Sequence, residues 1–189
     1  MAIQINGNGT ITGVSVGGLP DGIVDTDMLA SSAVDNTKLA AGSVIKVTYG
    51  THSTTGLSTT STSWQNYTNS NITVTKLRSG NGSGGSVLLI LGNAWLNYEG
   101  TSANGRHFAY TIMRDGTELT GDHYGLGNLY AGNANGYQSS ADINYMDTAS
   151  LSAGNYVYSL CIANTNGGHN VQVGNASRLS TWQILEIAT

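Results

Sequence analysis

From residue 43 onward the chain alternates between apolar and polar positions. Over 106–114, Phe108, Tyr110 and Ile112 fall on one side, and Ala109, Thr111 and Met113 on the other. A period of two is the signature of a strand. Tyr156, Tyr158, Leu160 and Ile162 share a face in the same way, and the closing segment sets Trp182, Ile184 and Glu186 opposite Gln183, Leu185 and Ile187. Runs of β-branched and aromatic residues bounded by Gly, Asn and Ser predict strands at 43–49, 56–63, 71–77, 86–97, 106–114, 117–123, 138–146, 155–163, 169–173 and 180–188. Arg114-Asp115-Gly116-Thr117 reads as a hairpin turn, because Asp-Gly tolerates the two positive φ angles of type I′ geometry. Asn166-Gly167-Gly168 is a second hairpin candidate. No helical period follows residue 45. Short strands joined by such turns predict a mainly β fold, an antiparallel β-sandwich with the jelly roll as the first choice of topology.

The first 44 residues follow other rules. Residues 1–20 are extended and glycine-rich, with Ile3, Ile5, Ile11, Val14 and Val16 alternating but too few apolar groups for a core. Residues 21–44 hold a repeat. Val24-Asp25-Thr26-Asp27-Met28-Leu29-Ala30 returns ten residues later as Val34-Asp35-Asn36-Thr37-Lys38-Leu39-Ala40, and Val44 begins what could be a third unit. In each unit the Asp can cap a short helical turn that carries Leu and Ala on its apolar side. One turn of helix is not stable alone, and ten residues cannot bury their own Val and Leu. A repeating partner is most simply the same segment of another chain. Val24, Leu29, Val34 and Leu39 are therefore the expected contacts of a self-associating stalk. The competing reading is an amphipathic helix from Asp25 to Ala41 packed on the domain, which Gly22, Gly42 and the β-branched positions weaken. The expected organisation is an anchor arm at 1–20, a repeat stalk at 21–44 and a β-sandwich head at 45–189.

Composition narrows the functional classes. Charged residues make up 10% of the 189, and the seven Lys and Arg are scattered, so no basic cluster exists to neutralise phosphates. Nucleic acid is not an expected partner. The apolar fraction of 39% argues against disorder. The longest unbroken apolar run, Val87 to Leu91, is far too short for a membrane span, and the N-terminus lacks the features of a signal peptide. Cys161, the single cysteine, lies in an apolar run and is expected to be a reduced, buried thiol.

Two features carry a resemblance. Asn8-Gly9-Thr10-Ile11-Thr12-Gly13 and Gly17-Gly18-Leu19-Pro20-Asp21-Gly22, followed by the Val-Asp-x-x-x-Leu-Ala units, resemble the N-terminal regions of bacteriophage tail-fibre and virion structural proteins. Those proteins often carry tandem decapeptides with a Thr-x-Lys-Leu-Ala core. Thr37-Lys38-Leu39-Ala40 approaches that core without a spacer, whereas Thr26-Asp27-Met28-Leu29-Ala30 departs by one inserted residue and by an acid in place of the usual Lys. Ser61 to Trp64 and the terminal Trp-Gln-Ile-Leu-Glu-Ile strand are similar to a β domain found in such proteins. The resemblance implies a homotrimer on a virion; the lack of a signal-peptide pattern adds the expectation that the chain is made in the host cytoplasm. It supplies no catalytic residue, metal or cofactor.

The candidate chemistry is correspondingly thin. Asn81-Gly82-Ser83-Gly84-Gly85 lacks the first glycine of a nucleophile elbow and reads as a flexible loop. His52, His107, His123 and His169 show no metal spacing; Asp122-His123 is the nearest acid–His pair. Glu99, Asp122 and Asp142 are the candidate carboxylates for glycan cleavage, and sequence cannot give their separations. An enzyme is not expected. Loops 98–106 and 122–137 concentrate Tyr, Asn and Gly, and aromatic rings beside amides suit contact with a sugar or a protein. Tyr98, Asn104, His123, Tyr124, Tyr130 and Asn133 are the candidate contacts with a host-surface glycan or protein. Rings lining a core or a trimer interface are the competing reading. Residues 1–20 are expected to join another virion protein. A capsid decoration protein and a carbohydrate-binding module are the alternative functions.

Overall fold

A computed structural model describes residues 4–5, 11–12, 31, 33–52, 56–99, 106–122, 124–131, 137–165, 169–174 and 180–189. The chain divides into two compact units, 1–35 and 36–189. In the first, β1 (Gln4–Ile5) and β2 (Ile11–Thr12) pair antiparallel. Among its described residues the second holds one 3-10 turn, Asn36–Lys38, and strands β3 (Val44–His52), β4 (Leu57–Thr59), β5 (Gln65–Lys76), β6 (Ser86–Glu99), β7 (Arg106–Arg114), β8 (Thr117–Glu118), β9 (Gly127–Ala131), β10 (Tyr137–Asp147), β11 (Gly154–Asn164), β12 (Asn170–Val173) and β13 (Ser180–Ala188).

The register reduces these strands to eight ranks. β12 and β13 both run antiparallel to β6, beside Leu96–Glu99 and Ser86–Asn93 respectively, so they lie end to end. β3 and β4 lie end to end beyond them, and β10 pairs along the other side of β6. In the second sheet β11 is flanked by β5 and β7, while β8 and β9 share the rank beyond β7. Numbering the ranks along the chain gives the orders 1-8-3-6 and 2-7-4-5. Consecutive ranks alternate between the sheets except at the β7–β8 hairpin, which is the jelly-roll arrangement of two antiparallel sheets. The expected fold class is observed.

The alternation explains the core. Leu88, Ile90, Ala94, Leu96, Tyr98, Trp182 and Ile184 point inward from the first sheet against Ile72, Val74, Phe108, Ile112, Tyr158, Leu160 and Ile162 from the second. Trp182, Ile184, Glu186 and Ala188 are all buried, as the period of the last strand requires. Asp115 and Gly116 have φ of 49° and 79°, the two positive angles of the anticipated turn. Where β5 gains residues against β11, between Tyr67 and Ile72, Ser70 repairs the ladder. Its hydroxyl donates to Tyr67 O at 2.6 Å and accepts from Leu160 N at 2.8 Å.

Five local expectations are corrected. The strand expected at 71–77 begins at Gln65, because the bulge interrupts the alternation that would have revealed its first half. The strand expected at 56–63 covers only Leu57–Thr59, and the one at 117–123 only Thr117–Glu118. Segment 122–137 is not one loop, since β9 runs through it. Residues 80–85 are not a free loop: Gly84 N donates to Thr189 O at 2.9 Å, Gly80 N to Leu151 O at 2.7 Å, and Asn81 Nδ2 to Thr148 O at 2.5 Å.

Candidate functional site

Strand direction gives the sandwich two distinct ends. At the proximal end lie Asn36–Ser43, the turn at Asp115 and Gly116, residues 77–85 and residues 148–153. This end is held by buried polar groups. Glu186, buried on the inward face of β13, accepts hydrogen bonds from Leu77 N and Arg78 N at 2.9 Å and from the Ser86 hydroxyl at 2.6 Å. The Lys76 ammonium, equally buried, donates to the carbonyls of Arg78, Gly80 and Leu151. Burial lowers its pKa, opposed by the nearby charges of Glu186 and Asp147. The Arg78 guanidinium donates to the carbonyls of Asn36 and Leu39, at 3.1 Å for Leu39. These carbonyls close the 3-10 turn, so Arg78 supplies the donors that a helix end lacks. Beside this cluster Arg114 pairs with buried Asp147, which also accepts from the Tyr158 hydroxyl at 2.7 Å. Burial, reinforced by Asp147, pushes the Tyr158 phenol well above its ordinary value. Each of these charges has a hydrogen-bond or ion-pair partner, which is the pattern of a structural clamp.

The outer faces of the two sheets differ. On the second sheet, Ala109, Thr111, Ser159, Cys161 and Ala163 point away from the core yet are buried. The excursion between β8 and β9 lies against this face. A Cβ on Gly125 would stand 2.4 Å from Tyr110 O and 2.7 Å from Thr111 Cβ, with the Trp64 ring 2.8 Å away. Glu118 fastens the excursion, accepting from the Thr111 hydroxyl at 2.6 Å, Thr120 N at 2.8 Å and Gly121 N at 2.6 Å. Burial raises the Glu118 pKa, but hydrogen bonds from Thr111, Thr120 and Gly121 outweigh it and leave the carboxyl below its ordinary value. Beneath this cover the Cys161 thiol is fully buried, and burial pushes its pKa up to about 12.

On the first sheet the proximal half of the outer face is apolar and partly exposed, with Val87 buried at its proximal edge. Val47, Leu185, Leu89 and Met146 face one another across all four ranks, and Val44, Ile187 and Val87 continue the stripe proximally. Val47, Met146 and Val44 are each nearly half exposed. Toward the distal half the face turns polar. The next row is Tyr49, Gln183, Leu91 and Asn144, and beyond it lie Thr181, Asn93 and Asp142. Here a depression of about 390 Å³ is walled by Tyr49, Leu91, Thr181 and Gln183 and bordered by Gly50 and Gly92.

The candidate residues from the sequence are scattered. Tyr98 is corrected: at 1% exposure it is core, because inward β6 positions all enter the sandwich, and it cannot contact a receptor. Tyr124 and Tyr130 are exposed at 49% and 57%. The Tyr130 ring lies 4.8 Å from His107, whose Nδ1 is 3.3 Å from Asn128 Nδ2. Asn104, His123 and Asn133 lie outside the described residues, as do Val24 and Leu29. Val34 is 61% exposed within its unit, and Leu39 is half-buried beside the 3-10 turn. Among the described residues no group of three metal-ligating side chains occurs. The sequence reading missed Tyr49 and its row. The available signal was a strand with apolar residues on both faces, Leu185 and Ile187 opposite Trp182 and Ile184.

No family model and no curated protein matches the chain. Among solved structures it is similar to a mutant VP2 protein of infectious bursal disease virus, from derived T=1 particles, with 16% sequence identity and a TM-score of 0.31. The match covers 78% of this chain and 38% of that one, so the chain spans well under half the length of that protein.

Proposed function

We propose that the chain is a non-catalytic structural component of a virus particle, a homotrimeric module of a tail fibre or related appendage. Residues 1–20 attach it to another virion protein, the decapeptide units and the sandwich associate with their own copies, and the outer surfaces are free to meet the host. One observation carries the reading: the apolar stripe of Val47, Leu185, Leu89 and Met146 across all four ranks of the first sheet, with Val47 and Met146 nearly half exposed. A second copy fits this stripe because the stripe carries no charge. Symmetry places like groups near one another, and a neutral face avoids that repulsion.

Magnitudes assign work to both parts. Fully burying a Val, Leu or Met side chain is worth about 1.5–3 kcal/mol. These side chains are already half covered, so each gains about 1 kcal/mol on association. Association itself costs at least about 4 kcal/mol. The stripe therefore needs the help of the repeat, whose Leu39 enters the sandwich unit five residues before Val44.

The test is location. A gold-labelled antibody against the chain should decorate tails in electron micrographs, and a chain lacking residues 1–20 should fold yet be missing from particles. Label confined to the capsid would replace the appendage with a decoration protein. Normal incorporation of the shortened chain would reject the anchor.

A further inference from the structure

We infer that the depression on the distal half of the first sheet is a binding site for a neutral glycan, with Tyr49 as its stacking platform. The site goes beyond the structural role and stands whether the chain is single or trimeric.

The most exposed aromatic residue described is Tyr49, at 78%. It sits in a strand, where alternation fixes its direction, and not on a loop. An exposed ring held rigidly offers a large flat contact area at little cost in conformational entropy. Behind it the notch borders Gly50 and Gly92. These glycines flank Trp182 in register, and a Cβ on Gly92 would stand 2.3 Å from Trp182 Cβ. The row therefore admits no larger residue at Gly92. On the opposite, outward side of these strands, the hollow of about 390 Å³ between Tyr49, Leu91, Thr181 and Gln183 is of the size of a small-ligand pocket.

The rim chooses the ligand. Gln183 and Asn144 lie in the Tyr49 row with exposed side chains. One row on, Asn93 is oriented from two sides: its amide donates to Asp142 Oδ1 at 3.2 Å, and its carbonyl oxygen accepts from the Ser140 hydroxyl at 3.3 Å. Amides and a carboxylate beside an upright ring pair donors and acceptors with vicinal hydroxyls while the ring covers the C–H face of a pyranose. Asp142 is the one charged group in these two rows, so phosphates and acidic sugars find repulsion and no cation. A peptide strand is excluded by position: β13 and β6, which form the middle of the notch, are already paired on both sides, and strand addition needs a free edge.

The experiment is an NMR titration of the full chain with maltotriose, lactose, N,N′,N″-triacetylchitotriose and 3′-sialyllactose. At least one neutral probe should shift the backbone amides of Gly50, Gly92 and Gln183 and saturate. Tyr49→Ala should weaken that binding at least about tenfold, and Tyr130→Ala should leave it unchanged. 3′-Sialyllactose should bind more weakly than lactose. The inference is overturned if no neutral probe shifts these amides at about 50 mM, if Tyr49→Ala binds as wild type, or if the shifts gather at Tyr130 and His107. The titration reads the chain at whatever mass it has, so its failure leaves self-association untouched.

Discussion

The β7 side of the second sheet is roofed by its own chain, whereas its β5 side and the outer face of the first sheet carry exposed side chains. Both contribute one face to a common core, and both have four ranks. They differ in what happens between neighbouring strands. After β8 the second sheet sends an excursion against Tyr110 and Thr111, and the neighbouring outward side chains Ala109, Ser159, Cys161 and Ala163 are small and buried. The first sheet has large apolar side chains on its proximal outer face, of which Val44, Val47 and Met146 are nearly half exposed. A chain with 10% charged residues has few means of keeping such a stripe soluble. The contrast teaches that outward apolar residues near β7 are internal packing, whereas Val47 and Met146 on the first sheet are left exposed, as a binding surface would be.

Breaking the cover should have the largest effect. Gly125 has a φ of 63°, and any side chain there meets Tyr110 O. Gly125→Val should lift the excursion, cost about 2–4 kcal/mol and expose Cys161 to a thiol reagent that leaves the folded wild type unlabelled. Labelling rates of Cys161 report this directly, and equal rates would detach the excursion from the protection of the thiol.

A comparable loss is expected at the proximal clamp, which both sheets share. Glu186→Ala removes the acceptor of two backbone amides and a hydroxyl beside a buried ammonium, at a cost of about 3–5 kcal/mol. Chemical denaturation gives the difference, and a loss below about 1 kcal/mol would contradict the role of the carboxylate.

Acid should act on the roof. The Glu118 pKa is depressed in the folded state, so its contribution is complete above the ordinary carboxylate pKa and is lost as pH falls through the lower folded value. Hydrogen exchange at Thr120 and Gly121, corrected for intrinsic rates, should speed up over that range in wild type. Glu118→Gln should exchange faster near neutrality and lose the acid dependence. An identical profile in the variant would show that Glu118 does not fasten the excursion.

The smallest effect is expected at Tyr130. Its exposed ring touches His107 and bears no core, so Tyr130→Ala should change stability by less than about 0.5 kcal/mol. A larger loss would place that ring among the structural residues, as Tyr98 already is.

These elements show how far the sequence could be read. Strands β7 and β13 were legible to the residue, because each alternates without interruption and ends at a turn or a terminus. The Asp115-Gly116 turn was legible because its chemistry is local. The first half of β5 was not, since the bulge at Ser70 shifts the period, and β9 was hidden in a segment whose Gly and Asn mimic a loop. Tyr98 and Tyr124 look alike in sequence, both beside Gly/Asn-rich stretches. Only the register of β6 separates a buried ring from an exposed one. Tyr49 escaped notice because a single aromatic in an alternating strand gives no hint of what faces it across three other ranks.

The most direct test of the account is the mass of the intact chain, measured by native mass spectrometry at micromolar concentration. Wild type should appear at three times its 19.6 kDa. Val47→Asp combined with Met146→Asp, two changes on the outer face of the first sheet, should appear as a monomer with an unchanged β circular-dichroism spectrum, because each places a charge in the apolar seam. A wild-type chain at 19.6 kDa, or a double variant that stays trimeric, would contradict the claim that the proximal stripe of this face is covered by another copy.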